Sequence, residues 1–533
     1  MVAVIAGNGL GLFNTSLNTL GGAGVLGQGG FGQAGGRSWV NASNGNLVLQ
    51  FNDRQLSGVG LDLLHTRTYN TQGSYGDADG DGWRWDGERR VALNGELNGA
   101  GSSVLRTTGD GHETLYRWNG STYQSSDGDG AHDSLSWDAA RGEWVWRDGS
   151  SRREERYAGA SGRLVQVSDA FGTRIDYGYD AAGRLSSVKD ASGQELVLVY
   201  NGAGRLERLD TRQVAGGALS RQVYYGYDAL GRLASVTTDL TPADNSISDG
   251  RVYTSRYTYD DASLRIASVS QSDGTTVSFT YELVDGEYRV KTVTDASGTT
   301  TFAYDLANRR TDISNGLNQQ WSYFYDEAER LVEVRTPAVA GQRLSTRYAY
   351  DADGNLTQVT DGRGNAITYD YDGNGNRVLE RDALGNTLRR VYDAQNQLLN
   401  EIRYSQPATW NGTSWSEPPA ASAQVQRYVY DASGRLRYAL SASGEVSEYR
   451  YNGQGLRSQE RSYGDARYDL GALTAEAGPS EAQLNAWAAA RDLSRSSLTE
   501  LVYDYRGNLQ RSTRYAQVDA SGAGLSNATT TIN

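Results

Sequence analysis

Tyr179-Asp-Ala-Ala-Gly-Arg-Leu185 is the stretch whose recurrence decides the fold. It returns as YDALGRL from Tyr227, YDADGNL from Tyr350, YDGNGNRV from Tyr371 and YDASGRL from Tyr430. Looser copies begin at Tyr200, Tyr259, Tyr304, Tyr325, Tyr392, Tyr451 and Tyr503. The steps from Tyr179 to Tyr200, Tyr304 to Tyr325, Tyr350 to Tyr371 to Tyr392, and Tyr430 to Tyr451 are each 21 residues. A fixed period of about 20–50 residues marks an architecture of stacked repeats.

Each repeat reads as two strands and two turns. Thr173, Ile175 and Tyr177 fall on one face, and Arg174, Asp176 and Gly178 on the other, which is the period of a β-strand. Asp180 opens a turn in which its carboxylate can accept backbone N–H groups, and Gly183 can take a positive φ. A return strand then runs to about Val188, and Asp190-Ala-Ser-Gly193 turns again. A lone hairpin is marginally stable, so neighbouring repeats must pair edge to edge. The expected fold class is therefore all-β, one long antiparallel sheet. Its 35 Tyr against 7 Phe and 1 Met suit a thin, partly wet sheet, because a tyrosine buries about 150–250 Å² while its hydroxyl finds a polar partner. We expect these rings to pack the sheet rather than to stack on a ligand.

Composition narrows the function. A net charge of −13 argues against nucleic acid and anionic membrane as partners, since both require basic patches. The absence of cysteine excludes a disulfide framework and thiol catalysis and leaves the compartment open. No apolar run is long enough to span a bilayer. The opening MVAVIAGNGLGLF has no basic residue before Arg37 and makes a poor secretory signal, so export would need another route.

Four regions follow. Residues 1–36 are Gly-rich and uncharged, a tail or a plug. Residues 37–150 form an irregular β region holding Trp39, Trp83, Trp85, Trp118, Trp137, Trp144 and Trp146; we expect these to pack a core rather than bind sugars. Regular repeats occupy 151–404. Residues 405–533 carry further repeats with a loop insertion at 405–424 and a helical insertion at 479–495. There Ser480 and Gln483 form a capping box, and Leu484, Trp487 and Arg491 follow at helical spacing. This is expected to be the one substantial helix.

One segment has metal-binding spacing. Asp77, Asp79, Asp81, Gly82 and Glu88 match D-x-D-x-D-G-x5-E, in which alternate carboxylates and a twelfth-position glutamate converge on one cation. Oxygen-only ligands favour Ca²⁺. The flanking helices of such loops are missing, and Arg84 stands where they carry an apolar residue. Asp370-Tyr-Asp372-Gly-Asn374 is a weaker copy with Arg381 at the twelfth position, and turn chemistry explains it; Asp127-Gly-Asp129 is weaker still. His65, His112 and His132 are expected as solvated loop residues. Carboxylate pairs are frequent because aspartate fills turns, so they carry no glycosidase signal. No catalytic residue is assigned, and the chain is expected not to be an enzyme.

The repeats resemble the Rhs/YD-repeat family of bacterial Rhs toxins, Tc-toxin carrier subunits and teneurins. YDAAGRLSSVKDASG from Tyr179 carries the core and the second D-x-x-G turn. Asn41–Asn70 resembles the family's opening, and the stretch from Asp148 resembles the approach to the first regular repeats. The resemblance implies a spiralling sheet that forms part of a hollow shell around a C-terminal toxin or other cargo polypeptide, of the same chain or a partner chain, in a secreted or cell-surface bacterial protein. A surface adhesion array contacting cells or glycans is the alternative. No D-P-x-G segment occurs, and Asn527–Asn533 rises as a strand without a turn. We therefore expect a piece of a larger protein, folded as an open, curved sheet.

Overall fold

The computed structural model describes residues 2–532 except 59, 74–80, 126–131, 454, 504–508 and 526–527. Among them, thirty-five strands from Arg90–Asn94 to Ala528–Ile532 form one sheet, antiparallel at every step. A smaller sheet precedes it, built from Ala3–Ile5, Gly30–Phe31, Gly36–Asn41, Leu47–Leu56, Leu63–Asn70 and Trp83–Trp85.

The repeat turn is held by local chemistry. Asp180 Oδ1 accepts the Arg184 N–H at 2.9 Å, Oδ2 accepts Arg184 Nε–H at 2.8 Å, and Gly183 has φ 78°. The same clasp joins Asp228 to Arg232, Asp326 to Arg330 and Asp431 to Arg435. Asparagine takes the arginine's place in Asp351–Asn355 and Asp372–Asn376. The strand register shifts just before Tyr179, Tyr200, Tyr227, Tyr259, Tyr325, Tyr350, Tyr371, Tyr392, Tyr430 and Tyr451. A bulge bends its strand and adds local twist, so bulges at one repeat position curl the sheet in one sense.

Most repeat tyrosines also tie their strand to the repeat before; the Tyr325 hydroxyl does not. Tyr179, Tyr200, Tyr227 and Tyr259 donate to the carbonyls of Leu164, Leu185, Leu206 and Leu233 at 2.7–2.8 Å. Tyr281, Tyr304, Tyr350, Tyr371 and Tyr451 do the same to Ile266, Val290, Leu331, Leu356 and Leu436. Burial holds the phenols of Tyr179, Tyr281 and Tyr304 above their ordinary range, as neutral donors require. The arginine of one repeat stacks on the tyrosine of the next, as Arg184 does on Tyr200 at 4.4 Å and Arg232 on Tyr259 at 4.4 Å.

The large sheet wraps around the small one. A single buried cluster joins Phe31, Phe51, Trp83 and Trp85 to strand residues from Ile175 through Leu356. Those residues lie on sixteen successive strands, Arg174–Tyr179 to Leu356–Thr360, which laid flat would span about 70 Å at about 4.8 Å per strand. The five-strand path of the small sheet spans about 20 Å on the same spacing. Side-chain ties to the N-terminal segment recur from Tyr225 (to Asp53) to Tyr348 (to the Ala23 carbonyl), a width that a flat sheet could not bring onto so narrow a partner, so the large sheet curves. Hydrogen bonds follow the wrap: Tyr225 Oη to Asp53, Tyr69 Oη to the Leu264 carbonyl, Val290 N–H to the Gly45 carbonyl, Thr311 Oγ1 to the Ala42 carbonyl. At Gly45 (φ 75°) a Cβ would lie 2.5 Å from that of Arg289.

The N-terminal segment contributes the strands Ala3–Ile5 and Gly30–Phe31 to this small sheet. Ala3–Ile5 pairs in parallel with Trp39–Asn41, and Ala3, Val4, Ile5 and Ala6 are buried. The sheet closes only in its first strands, and the expected open edge remains at its other end. The ladder closes on itself at its start, where Arg90 bridges Arg163, Val91 donates to the Gly162 carbonyl at 2.8 Å and Leu164 to that of Arg89 at 3.2 Å. The closure encloses a core of Val104, Tyr116, Tyr123, Trp144, Trp146 and Tyr157, large rings that fill a tight roll of strands. At the far end, all five residues of Ala528–Ile532 are exposed.

The helix spans Glu481–Ala489, with the Ser480–Gln483 capping box formed and Leu484 buried against Val429, Tyr438 and Tyr463. It stops short of 495 because Asp492 caps a separate 3-10 turn, Leu493–Arg495. In the loop insertion, Trp410 and Trp415 pair with ring centroids 5.4 Å apart, and strand resumes at Ala423.

Candidate functional site

The fold buries two charged clusters, one between the sheets and one inside the early roll. Arg67, in the strand Leu63–Asn70, is 1% exposed and grips Asp53 through Nε (2.6 Å) and Nη2 (3.0 Å). Its guanidinium lies 4.9 Å from the Phe51 ring and 4.5 Å from that of Trp83, and Nη2 also donates to Tyr257. Burial alone would lower the Arg67 pKa, yet the charge of Asp53 holds it above its ordinary value. His65 stacks on Trp85 at 4.4 Å, and burial lowers its pKa to about 4 despite the attraction of Asp53.

The second cluster surrounds Glu155 in the early roll. Arg106 Nη2 donates to Glu155 Oε2 at 2.7 Å, Arg89 and Arg153 converge on Oε1, and Tyr157 donates to Oε2. Arg106 also stacks on Trp146 at 3.6 Å. Burial would raise the Glu155 pKa, but the three arginines hold it well below the carboxylate range. Such pairs fix one arrangement of strands, since removing one partner leaves a buried charge uncompensated.

The expected solvated histidines are a correction. His65 and His112 are each 1% exposed: His65 stacks on Trp85, and His112 packs against Phe13 and Gly9 of the N-terminal segment. His132 is partly buried at a seam between early and later strands. There its Nε2 meets Asn355 Oδ1 at 3.1 Å, Arg152 Nη2 donates to Asn374 Oδ1 at 3.0 Å, and Asn396 Nδ2 donates to the carbonyls of Gly149 (2.6 Å) and Ser150 (2.7 Å). The residues in contact are 222–247 positions apart in sequence. The seam adjoins a cavity of about 650 Å³ lined by Phe13, Asp133, Asp148, Tyr371, Arg377 and Arg390 among others.

Of the candidate metal ligands, Asp77 and Asp79 lie outside the described residues. Asp81 is buried and its Oδ1 accepts the Trp83 N–H at 2.8 Å; Glu88 Oε2 accepts the Trp85 N–H at 3.2 Å. Each thus commits an oxygen to its own turn. In the weaker loop, Asp372 takes three donors from Asn374 and Asn376, which is turn chemistry. Among the described residues, no three His, Asp or Glu side chains are gathered for a metal. Also among them, no helix is long and apolar enough to cross a membrane.

Family comparison agrees with the repeat geometry. The teneurin YD-shell model matches residues 308–518, the RHS repeat matches 160–195 and 179–218, and a domain of unknown function (DUF6531) matches 38–116. Residues 160–218 and 308–518 thus carry Rhs/YD repeats. No curated protein matches the chain. Among solved structures, the YD-repeat chain is similar to the crystal structure of TcdB2-TccC3, at 13% identity and TM-score 0.39, over 91% of this chain and 27% of that one. The TcdB2-TccC3-Cdc42 structure gives 12% and 0.38 over 91% and 27%. A porin-like protein from Bacteroides uniformis gives 12% and 0.17 over 44% and 89%. The chain thus spans about a quarter of the length of the first two.

The sequence pointed to neither the seam nor the two arginine clusters. Arg67 and Arg106 sit in alternating strand patterns like any surface arginine, and only the fold buries them.

Proposed function

We propose that this YD-repeat chain is a non-catalytic segment of a β-shell that encloses a polypeptide cargo, in a secreted or surface-exposed protein. The supporting observation is the wrap: the sheet curves around the chain's own N-terminal sheet, and its later strands return to the early ones at the seam. A sheet that curves back on itself divides an inside from an outside, which a binding or adhesion surface does not require. The N-terminal sheet then serves as a plug on the inner face. A Ca²⁺ ion held by Asp77, Asp79, Asp81 and Glu88 is a separate part of this reading, supported by the donor set, and would brace the loop that leads from that plug into the shell.

The test is a protease-sensitive, unfolded reporter of roughly 100 residues fused after Asn533 and challenged with proteinase K. Enclosure predicts that the reporter outlasts the same reporter on an unrelated carrier by at least tenfold in half-life. Equal digestion rates overturn the proposal.

A further inference from the structure

Two neighbouring repeats break the pattern of their own face, and both breaks fall on one cavity. The sixth residue after the repeat tyrosine is Leu185, Leu206, Leu233, Leu331 and Leu356, each at most 4% exposed. After Tyr371 that place is taken by Arg377. The second residue before the tyrosine is aromatic at Tyr225, Tyr257, Tyr323, Tyr348 and Tyr369, and before Tyr392 it is Arg390. Arg377 and Arg390 both line the cavity of about 650 Å³ beside the seam.

One other repeat puts arginine in the leucine's place, and there the charge is answered. Arg457 Nη1 donates to Glu460, three residues on, at 2.8 Å. In the repeat of Arg377 the corresponding Glu380 lies beside Arg390 instead, at 3.6 Å, and Glu401 flanks Arg390 at 3.7 Å. Arg377 lies over the rings of Tyr369 (4.0 Å) and Tyr371 (5.9 Å) and forms no ion pair among the described residues. A guanidinium fork facing a cavity without a counter-charge is suited to a carboxylate, which it meets in two parallel hydrogen bonds.

The early strands give the same cavity the opposite sign. Asp133 and Asp148 line it there, and Asp148 Oδ1 accepts the N–H groups of Ser150 (2.9 Å) and Ser151 (2.7 Å), which favours its ionised form. A plain anion drawn to Arg377 would also meet these carboxylates, and a plain cation would meet Arg377. A ligand with a charge of each sign suits both walls. Phe13 and the ring of Tyr371 add apolar lining, and the volume lies in the range of small-molecule sites.

We propose that the seam cavity binds a zwitterion of dipeptide size, its carboxylate on Arg377 with Arg390 behind it and its ammonium on the Asp148 wall. The site stands whether or not a cargo is enclosed.

The test is isothermal titration of the whole chain with glycyl-tyrosine, its C-terminal amide and its N-acetyl derivative. Arg377→Leu puts back the residue that neighbouring repeats carry, and circular dichroism checks that the fold is kept. The free dipeptide should bind wild type, and Arg377→Leu, amidation or acetylation should each weaken binding by about tenfold or more. Arg457→Leu, the same change outside the cavity, should leave affinity within about twofold. No binding to wild type up to about 10 mM overturns the proposal. So does unchanged affinity in Arg377→Leu, equal weakening by Arg457→Leu, or equal binding of the acetylated probe. Should Arg377→Leu fail to fold, Arg377→Gln decides by the same readout.

Discussion

Replacing Tyr304 by phenylalanine isolates the hydroxyl that ties one repeat to the one before. Its Oη donates to the Val290 carbonyl at 2.7 Å, and Arg289 lies 5.7 Å from the ring. Phenylalanine keeps the buried ring and the nearby cation and removes only the donor, leaving the Val290 carbonyl without it. A neutral hydrogen bond of this kind contributes about 1 kcal/mol, and about 2 where the acceptor stays buried. Repeat arrays share stability between neighbours, so the loss should be local to the strands Glu287–Asp295 and Gly298–Asp305. Thermal melting is a poor assay, since a chain of this length has an unfolding entropy of about 1 kcal/mol/K and the midpoint would fall by only about 1–2 °C. Native-state hydrogen exchange reads the effect directly: 1 kcal/mol is about a fivefold rise in exchange through local opening. A rise below twofold in those strands, or an equal rise across the whole sheet, would refute the claim that the tyrosine hydroxyls lock adjacent repeats.

Three further outcomes are expected. Arg67→Met should destabilise by about 3–5 kcal/mol in denaturant unfolding, because Asp53 is left buried and uncompensated, and adding Asp53→Leu should recover most of the loss; no recovery would mean that ring stacking, not charge, carries Arg67. His65, lowered to about 4 in the fold, favours the neutral native state, so its contribution is full above about pH 6.5 and is lost as pH falls toward 4. That loss is on the order of 3 kcal/mol, and His65→Phe should flatten the wild-type stability slope over that window; identical slopes would contradict the burial of a neutral imidazole. Calcium at about 100 times its Kd should add about 2.7 kcal/mol, or roughly 2–3 °C in Tm, and Asp79→Ala with Asp81→Ala should abolish the shift; no effect on the parent removes the metal from the account.

The repeat hairpins were legible because their determinants are local. Asp180, Gly183 and Arg184 make a turn with contacts no more than four residues apart, and alternation sets the faces of each strand. The same locality located the helix through Ser480 and Gln483. Residues 3–6 were not legible as a buried strand, since an uncharged, glycine-rich run is compatible with a tail until a partner strand is known. Their partner, Trp39–Asn41, lies more than thirty residues on. His65 and His112 were misread for a related reason: burial depends on which sheet face is covered, and a one-sequence pattern gives the face but not the cover.

The misread features share one cause, and it bears on how the chain works. Turn chemistry specifies hairpins, but curvature comes from a bulge repeated at most of the tyrosines, and the seam comes from contacts more than two hundred residues apart. Loop closure over such separations is entropically costly, so residues that hold the seam must compensate through buried polar contacts rather than area alone. Asp133, Gly149 and Asn396 do this with few bonds, which makes the seam weaker than the ladders on either side of it.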